Sequence, residues 1–340
     1  MVDREKAEIL LGQVMVPAVN RSVSDLNLFR RIETKNNRLK VTLSNAALGP
    51  ELRESLTKEI QDKLNGLDGI DAIAVDFEDA KPKDLNQIGK VVAVMSGKGG
   101  VGKSLVSGLV ALSISREGKS VGILDADVTG PSIPRMFGIH DRPFGSESGL
   151  LPVSSSTGIE IISMNLLLPQ EDEAVIWRGP LLAKVINQFW EDVLWGKLDY
   201  LVVDLPPGTG DVPLTVMQSL PLSGVIIVST PQDLASMVVR KAVKMARQMN
   251  VPILGVVENM SYYQIPDTGK RVELFGSSKA AQMAEVCDAP VLARIPIDPE
   301  LARYCDEGRI EEYDSEILQE LRKTLPDILQ NTLPRNREAG

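Results

Sequence analysis

The sequence predicts an α/β fold, a parallel sheet with helices on both faces, preceded by a small α+β domain. Three observations carry that reading. From Lys90 onward, apolar strand-like runs alternate with helical stretches, the pattern of a parallel sheet. Several of those runs stop at glycines or carboxylates, where such sheets place their functional loops. Ahead of them the order changes to α-β-β-α-β, closed by a polar stretch containing proline.

The N-terminal elements follow in order. Residues 3 to 16 carry apolar positions at helical spacing, and Leu26 to Ile32 and Leu39 to Leu43 read as two strands around a polar Lys35-Asn36-Asn37 turn. Gly49-Pro50 opens an amphipathic helix through Leu64, and Ile70 to Phe77 alternates as a third strand. Glu78 to Gln87, EDAKPKDLNQ, reads as a linker. The expected organisation is a docking domain over 1–79, a linker over 80–89 and a larger domain over 90–340.

The larger domain opens with VVAVMSGKGGVGKS, Val91 to Ser104. A β-branched run that ends in a glycine loop and leads into a helix brings backbone N–H groups and a helix N-terminus onto phosphate, so this is a P-loop. Gly97, Gly99, Gly100 and Gly102 let the backbone approach the phosphates and adopt positive φ, with Val101 between them. Lys103 neutralises phosphate oxygens, and the Ser104 hydroxyl is a ligand for Mg²⁺.

Later strand ends add carboxylates and an amide. Val121 to Leu124 runs into Asp125-Ala126-Asp127, and Tyr200 to Asp204 runs into DLPPGTGD. Carboxylates there are placed to hold Mg²⁺ or orient the attacking water, with Asp204 ordering the metal shell. Pro206 to Asp211 reads as a switch that senses the γ-phosphate, its glycines permitting the backbone change. Ile253 to Val257 leads to Glu258-Asn259, whose amide can donate and accept toward a base edge. Ser315 to Gln330 reads as an amphipathic helix interrupted by Pro326, docked on the body of the protein rather than on a membrane.

Composition narrows the function classes. A 43% hydrophobic, 24% charged chain of 340 residues is that of a soluble globular protein large enough for a sizeable core. No apolar run reaches membrane-spanning length and the stretch MVDREKAEILL lacks the basic-then-apolar order of a signal peptide, so the expected location is cytoplasmic, with no membrane partner. A net charge of −9 argues against nucleic-acid binding, and Arg240, Lys241, Lys244 and Arg247 read as a solvated helix face. Two cysteines, Cys287 and Cys305, and the single His140 are too few for a metal or cluster site within one chain.

The second lysine of the loop, Lys98 in GKGGVGKS, gives a spacing that resembles the deviant Walker A signature of the MinD/ParA/Mrp ATPases. DADVTGPSIP, WRGP from Trp177, DLPPGTGD, STPQ and GVVENMSY then recur in the order of Mrp-type iron–sulfur cluster carriers. The resemblance implies ATP and Mg²⁺ as cofactors, with Ser104, Asp125 and Asp204 at the metal and Asp127 orienting the water. It implies a dimer in which Lys98 reaches the partner's phosphates, so that hydrolysis is slow alone. It places base recognition at Asn259 and on the loop around Pro296 and Asp298, and gives Arg178 a supporting part in the dimer or switch.

The same comparison marks two departures. Mrp carriers follow ENMSY with a CPxC element; here Ile265 and Thr268 stand at the cysteine positions, while Pro266 and Gly269 remain. The N-terminal run VTLSNAALGPELRESL resembles the small iron–sulfur-assembly domain, but Leu48 and Gly49 fill the place of its cysteine. The expectation is an ATPase of iron–sulfur cluster assembly or transfer, a homodimer or a heterodimer with a cysteine-bearing paralogue, serving an apoprotein client. The alternative is a cluster-free, nucleotide-switched binding protein for a metalloenzyme.

Overall fold

The computed structural model describes residues 4–17, 19–67, 69–127, 132–167, 179–232 and 234–330. Two compact units form: residues 1–88 with 142–154 and 188–198, and residues 89–141 with 155–187 and 199–340. The division is not purely sequential, since two stretches expected within 90–340 belong to the first unit.

In the first unit, α1 (Arg4–Gly12) precedes the hairpin of β1 (Phe29–Lys35) and β2 (Arg38–Ser44). Asn36 and Asn37 close it with φ of 51° and 57°, the left-handed pair that a tight hairpin turn needs and asparagine tolerates. Then α2 (Pro50–Leu64) crosses to β3 (Ala72–Glu78), which pairs parallel with β2. Leu39, Val41 and Leu43 on β2 and Leu56, Ile60 and Leu64 on α2 share one core.

The stretch expected as a linker is instead partly folded into that core. Pro82–Leu85 forms a short helix, α3, and Leu85 is fully buried with Leu151 and Leu194. Its polar neighbours disguise one apolar anchor, whose burial contributes about 2 kcal/mol. The buried Arg21 guanidinium donates to the carbonyls of Asp25, Trp195 and Lys197, tying chain segments far apart in sequence.

In the second unit, seven strands of the central sheet are β4 (Gln87–Ser96), β5 (Val121–Asp125), β6 (Glu160–Ser163), β7 (Lys197–Asp204), β8 (Gly224–Ser229), β9 (Ile253–Glu258) and β10 (Val291–Arg294). Their order is β6-β5-β7-β4-β8-β9-β10, and the pairs β6·β5, β5·β7, β4·β8, β8·β9 and β9·β10 are parallel. The expected α/β fold is therefore present. The central strand β4 is buried from Val91 to Ser96, as its continuous apolar run requires. The chain leaves β4 toward β5 on one side and returns to β8 on the other, so the crevice at its carboxyl end is the topological switch point.

Helix α4 (Lys103–Ser115) is buried along almost its whole length, because α5 (Glu316–Gln330) packs on it. Leu318, Leu321, Leu325 and Leu329 form the buried face of α5. That helix runs through Pro326 rather than breaking there. A stripe of buried leucines on both sides of the proline outweighs the roughly 3 kcal/mol that proline costs inside a helix. Between β8 and β9, α6 (Leu234–Gln248) exposes Arg240, Lys241, Lys244 and Arg247, the solvated face expected. Among the described residues no helix is long and apolar enough to cross a membrane.

Candidate functional site

The glycine loop bridges β4 and α4, and its glycines divide the work. Positive φ occurs at Gly100 (75°) and Gly102 (78°), not at all four positions as expected. Gly97 is required for a different reason: a Cβ there would lie 1.9 Å from Val238 Cγ1 and 2.8 Å from the Val238 carbonyl oxygen, on α6. Gly99 has open space around it. Val101 is buried, and its carbonyl accepts from Asn259 Nδ2 at 2.9 Å.

Lys103, 5% exposed, lies 2.8 Å from Asp204 Oδ2 and 3.2 Å from Asp127 Oδ2. Ser104 Oγ donates to Asp204 Oδ2 at 2.5 Å, and Ser107 Oγ donates to Asp204 Oδ1 at 2.7 Å. Asp125 accepts from Ser163 Oγ at 3.0 Å and from the Asp127 backbone N–H at 3.2 Å. Sequence positions 103 to 204 thus converge because β5 and β7 are neighbours and β4 lies beside β7. Burial pushes the Asp125 carboxyl well above the usual carboxylate range, with the nearby Asp204 charge adding to it. Burial also raises Asp204, against the pull of Lys103 and the two serine hydroxyls.

Two carboxylates, Asp127 and Asp204, against one lysine leave a negative excess suited to a divalent cation. Among the described residues no group of three or more His, Cys, Asp or Glu side chains forms a metal cage. A serine hydroxyl backed by one carboxylate fits Mg²⁺, which keeps several waters and takes oxygens from phosphate rather than from an all-protein shell.

The remaining expected residues separate. Lys98 Nζ donates to Gln232 Oε1 at 2.6 Å. Asp298 caps the helix Pro299–Asp306 by accepting from the Glu300 and Leu301 N–H groups, and also accepts from Tyr313 Oη at 2.7 Å. Both its oxygens therefore serve the fold. Pro296 sits between Ile295 and Ile297, whose backbones bind Ser261 and Tyr262. The Gly208 N–H of the expected switch donates to the Ser96 carbonyl at 2.9 Å, directly before the glycine loop. Trp177, Arg178 and residues 128–131 of the DADVTGPS run lie outside the described residues.

Positions 263–272 form a hairpin in which Tyr263 pairs with Val272 and Gln264 with Arg271. Ile265 has no ligand atom, and Thr268 Oγ1 accepts from the Lys270 N–H at 3.3 Å. Neither cysteine compensates. Cys287 is buried, and burial pushes both the Cys287 and Cys305 thiols up to about 11, so neither is poised as a thiolate.

Sequence reading missed several groups. Ser107, one turn beyond Lys103 in an otherwise apolar helix, was detectable as a polar residue on the site face. Ser163 had no local signal, since only the β6·β5 register sets it beside Asp125. Thr230 Oγ1 is buried without a hydrogen-bond partner, one residue past the Ser229–Glu258 register pair and so beside Asn259. Glu258, fully buried, accepts from Ser261, Ser278 and the Lys279 N–H and thereby fixes the end of β9.

A family model described as ParA, NUBPL iron-transfer P-loop NTPase, matches residues 87–332. An iron-sulfur cluster carrier protein of Clostridium perfringens is 46% identical over 241 residues, 68% of this chain and 84% of that protein. One of Synechocystis is 36% identical over 324 residues, 91% of each chain. The solved nucleotide-binding protein from Archaeoglobus fulgidus, in complex with ADP, aligns at TM-score 0.63 and 46% identity over 70% of this chain and 95% of its own. The septum site-determining protein MinD from Pyrococcus horikoshii, complexed with Mg-ADP, aligns at TM-score 0.52 and 21% identity over 72% and 98%, a likeness of fold alone.

Proposed function

The chain belongs to the ParA-type, NUBPL iron-transfer P-loop NTPases, and from that membership we propose that it binds and hydrolyses ATP in iron–sulfur cluster assembly or transfer, working as a dimer. The observation that carries the enzymatic part is the buried trio Lys103, Asp127 and Asp204, joined by the half-buried Ser104, at the carboxyl end of the central strands. Gly97, Gly99, Gly100, Val101 and Gly102 present backbone N–H groups to the phosphates, and the N-terminus of α4 adds its dipole. Lys103 exchanges carboxylate oxygens for phosphate oxygens. Ser104 and Asp204, with Asp125 in support, would hold Mg²⁺, which would supply charge neutralisation on the phosphates when bound.

Asp127 orients the attacking water and is itself held by its backbone contact to Asp125. Asn259 buttresses the loop from the side where the base enters, and the segment at Pro296 and Asp298 closes that side. Transition-state charge is met by Lys98 of a second protomer, which makes hydrolysis slow in a single chain. Lys98→Ala should keep ATP binding and lose turnover, and an unchanged rate per protomer would remove the dimer mechanism.

The cargo is the cluster, and the residues at the hairpin do not fit it as ligands. Thiolates then come from a cysteine-bearing paralogue in a heterodimer or from the apoprotein client. A second reading, a cluster-free switch that holds or releases a metalloenzyme, is favoured by the Ile265 and Thr268 side chains and the raised thiol pKa values. Anaerobic reconstitution with iron and sulfide separates the two: visible charge-transfer absorbance on the protein with its partner, but not alone, supports the first. None in either case supports the second.

A further inference from the structure

Two lysines enter the glycine loop, and the structure gives them different tasks. Lys103 is buried between carboxylates, whereas Lys98, only partly exposed, turns its ammonium to Gln232 Oε1 at 2.6 Å. The backbone on both sides of that contact is fixed. The Lys98 carbonyl accepts from Ser96 Oγ at 2.9 Å, and Gln232 follows the buried Pro231 just past the end of β8. The parallel pairing of Val228 with Ser96 brings the two strand ends side by side, so the contact is set by the sheet rather than by chance meeting of two long side chains.

Resting on the reading that Lys98 serves a partner's phosphates, we infer that Gln232 is a positioning residue that holds Lys98 against its own protomer until ATP-driven pairing draws it away. A neutral amide suits such a task. It accepts a charge-assisted hydrogen bond from the ammonium, yet at an exposed site that bond is worth little net and opens readily. A carboxylate in its place would compete harder with the partner's phosphates.

The test is ATPase rate against protein concentration at saturating ATP, with dimer formation followed by sedimentation. Gln232→Ala should lower the protein concentration for half-maximal rate by about three- to tenfold, the range expected for one exposed charge-assisted bond, with the plateau rate and the ATP KM unchanged. Gln232→Glu should raise that concentration by a similar factor, an effect that fades as salt screens the new ion pair. In a Lys98→Ala background, Gln232→Glu should leave ATP-dependent dimerisation unmoved. An unchanged concentration dependence in Gln232→Ala overturns the inference. So does a shift of both variants in the same direction, or an effect of Gln232→Glu that persists without Lys98. Full turnover in Lys98→Ala would instead sink the trans-lysine reading itself, whereas loss of turnover there with neutral Gln232 variants sinks only the positioning role.

Discussion

Gly102 and Asn259 are fitted to one another across the nucleotide crevice: a Cβ on Gly102 would lie 2.1 Å from Asn259 Nδ2, the same amide that donates to the Val101 carbonyl. The loop's left-handed turn at Gly102 and the amide at the end of β9 therefore form one assembly. Gly102→Ala must both strain the backbone, by about 1–2 kcal/mol at a left-handed φ, and expel the amide. ATP affinity should fall by about tenfold or more, by calorimetry. Asn259→Ala, which only removes the Val101 buttress, should cost less. Equal affinity in Gly102→Ala and wild type would show that the loop reshapes freely.

Lys103→Ala and Asp127→Ala should separate binding from chemistry. Removing Lys103 deletes the phosphate contact and leaves Asp204 buried without its cation, so both ATP affinity and thermal stability should fall, the latter by about 3 kcal/mol. Removing Asp127 takes away one carboxylate of two beside Lys103, so affinity should hold while the single-turnover rate drops. Comparable loss of affinity in both variants would reassign Asp127 to binding.

The metal-free protein should lose stability as pH rises above the usual carboxylate range. Asp125 and Asp204 are raised in the folded state and return to about 4 on unfolding, so the folded chain binds more protons. Stability is then fully present below the unfolded value and declines as pH climbs toward the raised folded values. Asp125→Asn keeps an acceptor for the Asp127 N–H and a partner for Ser163, so it should flatten the dependence of Tm on pH measured in chelator. A slope identical to wild type would place the proton uptake elsewhere.

The hairpin predicts a gain of function. Ile265→Cys with Thr268→Cys restores two thiolates per chain on a turn whose Gly269 N–H still bonds the Ile265 carbonyl at 2.8 Å. Wild type should reconstitute with little stable iron, and the double variant should bind a cluster bridging two chains. Stoichiometric iron in wild type, lost on Cys287→Ala or Cys305→Ala, would restore a carrier role through the native thiols.

Much of this protein was legible in the sequence because its signals are local. The run Val91–Ser104 states strand, turn and helix in sequence, Asp125 and Asp204 each end an apolar run and Asn259 follows one, so period and strand-end position determined the α/β class and pointed to these residues, while Lys98, Pro296 and Asp298 entered through the family resemblance. Tertiary structure alone decided which of them meet. Asp298 became a helix cap because the helix after it and Tyr313 claim its oxygens, and Lys98 points to Gln232 because β8 lies beside β4. Leu85 joined a core that polar neighbours concealed, and α5 crossed Pro326 because four leucines are buried along it. Hydrogen bonding and burial are settled by neighbours brought from elsewhere in the chain. Local pattern names the groups at each strand end, and the sheet order chooses their partners.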